Sequence, residues 1–133
     1  MAELTEKRKL GNLGEDLACR SLINRGFEIA DRNYLKKWGE IDIVAINKGI
    51  IHFIEVKSVS CENIGQVSGE NSGYRPEDNV HPWKLQRLSR AMQTYLLERR
   101  VSGETEWQVD IMTVHIDKKN LTSKISFIEN III

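Results

Sequence analysis

The chain has 133 residues, 19 basic and 19 acidic, and a net charge of zero. With 41% hydrophobic and 29% charged residues it has ordinary globular composition, which excludes disorder, collagen and coiled coil as its main state. The balanced charge excludes a protein held to DNA by bulk cationic attraction, though a local basic groove is compatible with it.

The length fits one domain, residues 1–133, with a core that needs neither disulfides nor a structural metal. Cys19 and Cys61 are the only cysteines and form no CxxC pair, so a disulfide framework and structural zinc are not expected. Met1-Ala2-Glu3-Leu4 lacks the apolar core of a signal peptide. No run approaches the ~18 apolar residues of a membrane span. The expectation is a cytoplasmic protein with reduced thiols.

The spacing of Leu10, Leu13, Gly14, Leu17, Ala18 and Leu22 predicts a helix over 5–25, with Thr5 as N-cap and Gly26 as its stop. A weak strand at 27–31 follows, then one over 41–46 that Gly39 and Glu40 lead into, and another over 50–59. Asn47-Lys48-Gly49 between the last two is a turn signal. Residues 61–79 are rich in Ser, Asn, Gly and Glu and read as a long loop. Pro82 opens a second helix whose apolar stripe is Leu85, Leu88, Met92, Tyr95 and Leu96. Residues 107–115 and 124–128 read as two more strands. The order α-β-β-β-α-β-β predicts an α/β fold, a mixed sheet flanked by helices.

The chemistry is concentrated in the middle strands. If the strands fold back around a two-residue turn at Lys48–Gly49, Asp42 stands directly opposite Glu55 on one face of the sheet, whereas a three-residue loop would shift the register by one and break the pairing. Lys57, two residues further, shares that face. Facing like charges are destabilising unless a cation lies between them. Two carboxylates with waters and substrate oxygens suit Mg²⁺, with Mn²⁺ as an alternative, and the Val56 carbonyl can add a ligand. Such an ion activates water against a phosphodiester, and Lys57 can hold that water or neutralise developing charge. The bland alternative is a pair of solvated charges and a surface Glu-x-Lys salt bridge. The apolar flanks Ile41, Ile43, Val44, Ile54 and Val56 weigh against it, because charges in central strands are seldom left unpaired. Glu15, beside the apolar stripe of the first helix, can reach the same site; alone it is equally a helix N-terminal carboxylate.

Gly39-Glu40-Ile41-Asp42-Ile43-Val44 followed by Phe53-Ile54-Glu55-Val56-Lys57 resembles the D…ExK core of the PD-(D/E)xK nuclease superfamily. Adding Gly11-x-x-Gly14-Glu15-x-x-Ala18 before it, and Lys84 and Ala91 after it, the chain resembles the YraN-like family, whose core is similar to archaeal Holliday junction resolvases. The resemblance runs over about 9–114 and implies a restriction-endonuclease-like fold. It implies Asp42 and Glu55 as metal ligands, Lys57 as the catalytic lysine, and Glu15 as the acidic position of resolvase-like nucleases. Glu40, Lys84 and Asp110 also match the family pattern, Asp110 with a structural role. The chain departs from the pattern in three places. No proline precedes Asp42, Ser58-Val59-Ser60 lacks a basic residue, and the 61–79 loop is long.

Lys84, Arg87, Lys36 and Lys37 are the candidate nucleic-acid contacts, with Trp38 either stacking on a base or packing at a strand edge. Arg87, Arg90, Arg99 and Arg100 are equally a phosphate track or a solvated helix face. Trp83 and Trp107 are expected in the core, and His52, His81 and His115 in structural roles. Ile131-Ile132-Ile133 is expected to pack as an edge strand or to mediate self-association. The expected activity is Mg²⁺-dependent endonucleolytic hydrolysis of DNA, on branched, junction-like substrates, for which a homodimer would supply two active sites. The alternative is a nucleic-acid-binding module that keeps the nuclease fold without cutting.

Overall fold

A computed structural model of the chain describes residues 4–61 and 82–131. In order these form α1 (Glu6–Asn24), β1 (Glu28–Lys36), β2 (Gly39–Asn47), β3 (Ile50–Ser60), α2 (Pro82–Glu98), β4 (Trp107–Asp117) and β5 (Thr122–Ile128). The five strands make one mixed sheet in the order β1-β2-β3-β4-β5. Only β3 and β4 are parallel, and α2 lies in the crossover between them. This is the expected α/β arrangement and is consistent with the restriction-endonuclease-like fold. The 61–79 loop and His81 lie outside the described residues, apart from Cys61.

Among the described residues, one helix packs on each face of the sheet. On one side Ala18, Cys19 and Leu22 of α1 pack with Ile43, Ala45, Ile54, Met112 and Val114. On the other, Leu88, Ala91, Met92 and Tyr95 of α2 pack with Tyr34, Val44, Phe53 and Val109. Among the described residues, no helix is long and apolar enough to cross a membrane.

Two glycines set how closely the helices approach. A Cβ at Gly14 would collide with Ser58 Oγ of β3. A Cβ at Gly39 would collide with the Arg87 carbonyl oxygen of α2, which is backbone and cannot swing aside. The first contact seats Glu15 against the sheet, and the second seats the opening turns of α2, which carry Lys84.

Several expectations need correction. Leu13 does not share the buried stripe of α1 but is 44% exposed. Trp83 and Trp107 are not core residues: each keeps about half its surface in solvent. Trp107 lays its ring edge on Phe53, and Phe53 fills the interior beneath it. The weak strand expected at 27–31 runs to Lys36. Its polar second half, Arg32 and Asn33 among it, fits an edge strand with one side in water. Of the Ile131-Ile132-Ile133 run only Ile131 is among the described residues: its amide donates to the Val109 carbonyl (2.8 Å) and its side chain packs on the α2 side, while Ile132 and Ile133 lie outside them.

Candidate functional site

The β2–β3 hairpin turns through Lys48 (φ 52) and Gly49 (φ 78). Two consecutive positive φ angles are those of a two-residue type I′ turn. The ladder runs from Asn47↔Ile50 to Ile43↔Ile54, the register in which Asp42 and Glu55 are the next facing pair. Pairing stops just before them, so the strands part where the carboxylates stand.

The cause lies in β1 and β2 together. Two steps along a strand normally keep a side chain on one face. Here Ile43 packs on the α1 side and Ile41 on the α2 side. In β1, Arg32 reaches Glu15 of α1 while Tyr34 packs with α2. Both strands change face at one level, with Asn33 taking a left-handed conformation (φ 52) and Asp42 between the two isoleucines. Asp42 therefore reaches across toward β3, and its Oδ2 accepts the Val56 N–H (2.8 Å) in place of a strand carbonyl. In an extended strand, N–H and C=O of one residue point to the same side. The Val56 carbonyl thus faces the same gap.

Glu55 is buried, and its Oε1 accepts from Lys84 Nζ at 3.0 Å. The Asp42 and Glu55 carboxyls stand close enough for each to feel the other's charge. Burial, reinforced by the Glu55 charge, pushes the Asp42 carboxyl up to about 7. Glu15, 9% exposed, joins the group from α1. Burial and then the Asp42 charge raise its pKa, against the opposing hydrogen bond and charge of Arg32. Arg32 holds Glu15 Oε1 (Nε at 3.2 Å) and bridges to Asp16 (2.8 Å). Burial works against the Lys84 ammonium, but Glu55, Asp42 and Glu40 outweigh it and its pKa is raised.

Beside these groups is a cavity of about 500 Å³ between the start of α1, the β1–β2 pair and the first turn of α2. Glu15, Glu40, Asp42, Val56 and Lys84 are on its wall, as are Lys7, Arg8, Asn12 and Asn33. Sequence reasoning missed the last four. The only local signal was Thr5, whose hydroxyl caps α1 by accepting the Arg8 N–H (3.1 Å) and so fixes where that basic turn begins. Lys57, half-buried and on the Glu55 face by alternation, lies outside the residues that line the cavity.

The other expected nucleic-acid contacts are elsewhere. Lys36, Lys37 and Arg87 do not line the cavity. Lys36 is committed to Glu98 (2.9 Å) and lies over the Tyr34 ring. Trp38 donates its indole N–H to Thr94 Oγ1 (2.9 Å), pinning the β1–β2 turn to α2. Arg99 pairs with Asp31 (3.1 Å) over the Tyr95 ring, a structural contact.

A second cluster sits on the α1 side of the sheet. His52, Asp110 and Glu129 bring one potential ligand atom each within 4.8 Å of one another, a candidate His/Asp/Glu metal group. His52 Nδ1 and Asp110 Oδ2 are 2.6 Å apart. The other oxygen, Oδ1, accepts from Gln108 Nε2 (2.8 Å) and the Asn130 N–H (2.9 Å). Fully buried Asp110 thus ties β3, β4 and the segment after β5 together.

The model of the uncharacterised protein family UPF0102 matches residues 14–114. A UPF0102 protein of Helicobacter pylori is 35% identical over 120 residues, covering 90% of this chain and 93% of its own. One from Alkaliphilus oremlandii is 37% identical over 125 residues, 92% of this chain and 97% of its own. A Campylobacter jejuni relative is 34% identical over 117 residues, 88% and 93%. The matched span includes Glu15, Asp42, Glu55, Lys57, Lys84 and Asp110, and the chain belongs to the UPF0102 family, the YraN-like family its motifs resemble.

Proposed function

We propose that this protein is a metal-dependent endonuclease that hydrolyses phosphodiester bonds in DNA, with branched substrates as the preferred class. The observation that carries the reading is the Asp42–Glu55 pair at the point where β2 and β3 part. Two partly to fully buried carboxyls, close enough for their charges to act on each other, stand beside an open cavity, a donor set that a divalent cation would satisfy.

Asp42 and Glu55 would hold Mg²⁺ or Mn²⁺, with the Val56 carbonyl and Glu15 as further oxygen donors. When bound, the ion polarises the scissile phosphate and lowers the pKa of a water. Arg32 keeps Glu15 oriented toward the pair. Lys57 orients the attacking water or offsets charge building on the phosphate. Lys7 and Arg8 of α1, with Lys84 of α2, supply cations along the cavity wall for neighbouring phosphates. A homodimer would present two such sites to a junction.

The test is hydrolysis of junction, flap and linear DNA in Mg²⁺ or Mn²⁺ by wild type and Asp42→Ala. Cleavage abolished by the substitution supports the reading; cleavage unchanged by it overturns the assigned site. Salt-dependent DNA binding that survives Glu55→Ala and Lys57→Ala, with no cleavage by wild type, identifies a binding module instead.

A further inference from the structure

Lys84 occupies an unusual place for a surface cation. It is the third residue of α2, and its ammonium stands 3.0 Å from Glu55 Oε1. The Glu55 side chain is 6% exposed and that of Lys84 41% exposed. Lys84 lines the cavity, whereas Glu55 does not. The ammonium thus joins a buried carboxylate to a residue of the cavity wall. It also feels the charges of Asp42 and Glu40, so it is attracted to more than one carboxylate.

The helix that carries Lys84 packs closely on β2, while the lysine side chain is 41% exposed. Gly39 of β2 packs directly on the Arg87 carbonyl, one turn further along α2. Any exchange at Glu55 must then come from the four-carbon lysine stem, which has rotamer freedom and already reaches solvent. A divalent cation carries twice the charge of an ammonium and accepts several oxygen ligands at once. It competes for the same Glu55 oxygens at the same location.

We infer that Lys84 is a displaceable place-holder. In the metal-free protein it counterbalances the carboxylate pair; when a divalent cation enters, it releases Glu55. Its charge then turns into the cavity, where the ligand it meets is a phosphate of the nucleic acid. This inference rests on the proposed metal site. It assigns Lys84 a role in the order of assembly, cation first and phosphate second.

The experiment uses Mn²⁺ alone as probe, on the whole chain without nucleic acid. Calorimetric titration compares wild type with Lys84→Met, and amine acylation of Lys84 in wild type is read by mass spectrometry with and without Mn²⁺. The variant is expected to bind Mn²⁺ about tenfold more tightly or better, because no charge-assisted hydrogen bond has to break. Acylation of Lys84 is expected to rise when wild type is saturated with Mn²⁺. Equal or weaker binding by the variant overturns the inference. So does unchanged or reduced acylation of Lys84 in Mn²⁺-bound wild type, which would make Lys84 a fixed neighbouring charge. No Mn²⁺ binding by either protein overturns the metal site and this inference together.

Discussion

Replacing Asp42 by Asn tests whether the site is held together against its own electrostatics. The substitution preserves shape, and an amide oxygen can still accept the Val56 N–H that Asp42 Oδ2 accepts at 2.8 Å. What disappears is one of two adjacent carboxyls. Burial and the Glu55 charge move Asp42 from an ordinary value of 3.8 to about 7, so the folded protein binds that proton more tightly than the unfolded chain does. The sign follows from linkage: this contribution is fully present below the ordinary aspartate range and is lost as pH rises to about 7. At about 1.4 kcal/mol per pKa unit, the whole window is worth at most about 4 kcal/mol. Metal-free wild type should lose stability on going from about pH 5 to about pH 8, and Asp42→Asn should lose much less. Above neutral pH the variant should be the more stable of the two. Urea unfolding in a chelator, followed by tryptophan fluorescence, measures both. A variant with an unchanged pH slope, or one less stable than wild type at the alkaline end, would refute the reasoning.

Other residues carry equally direct tests. Gly39→Ala pushes a methyl into the Arg87 carbonyl and should cost roughly 1–3 kcal/mol or more in denaturant unfolding; an unchanged midpoint would show that α2 does not sit against β2 as described. Asp110→Ala strands His52, Gln108 and the Asn130 amide, and should cost about 3–5 kcal/mol by the same assay. Arg8→Ala should weaken DNA binding and lower the salt slope by about one, whereas Lys36→Ala, already paired with Glu98, should leave the slope unchanged. Equal effects of the two would place the DNA path away from the cavity.

The hairpin shows what can be read from a chain of letters. A two-residue turn at Lys48–Gly49 is one of the turns the sequence allows, and with that turn the register puts Asp42 across from Glu55. The apolar flanks then say that these charges are not ordinary surface groups. Local rules carry that argument from end to end. They fail where the outcome depends on a neighbour distant in sequence. Nothing near Asn33 announces that it adopts φ 52 while β2 changes face beside it, yet that shift is what turns Asp42 toward Val56. Lys84 and Glu55 are 29 residues apart, so their contact follows only from the packing of α2 on Gly39. Lys36 looked free because its partner Glu98 lies at the far end of another helix. Trp83 and Trp107 stand at the start of their elements and keep about half their surface in solvent, Trp107 with its ring against Phe53.

The central claim is that Asp42 and Glu55 bind a divalent cation, and calorimetric titration with Mg²⁺ and with Mn²⁺ tests it most directly. Wild type and an Asp42→Ala/Glu55→Ala double variant, each checked for folding by circular dichroism, would be compared with and without DNA. The account predicts binding to wild type that the double variant loses. Two results would contradict it: no binding to wild type even with DNA present, or binding that persists in the double variant, which would move the metal to the His52, Asp110 and Glu129 group.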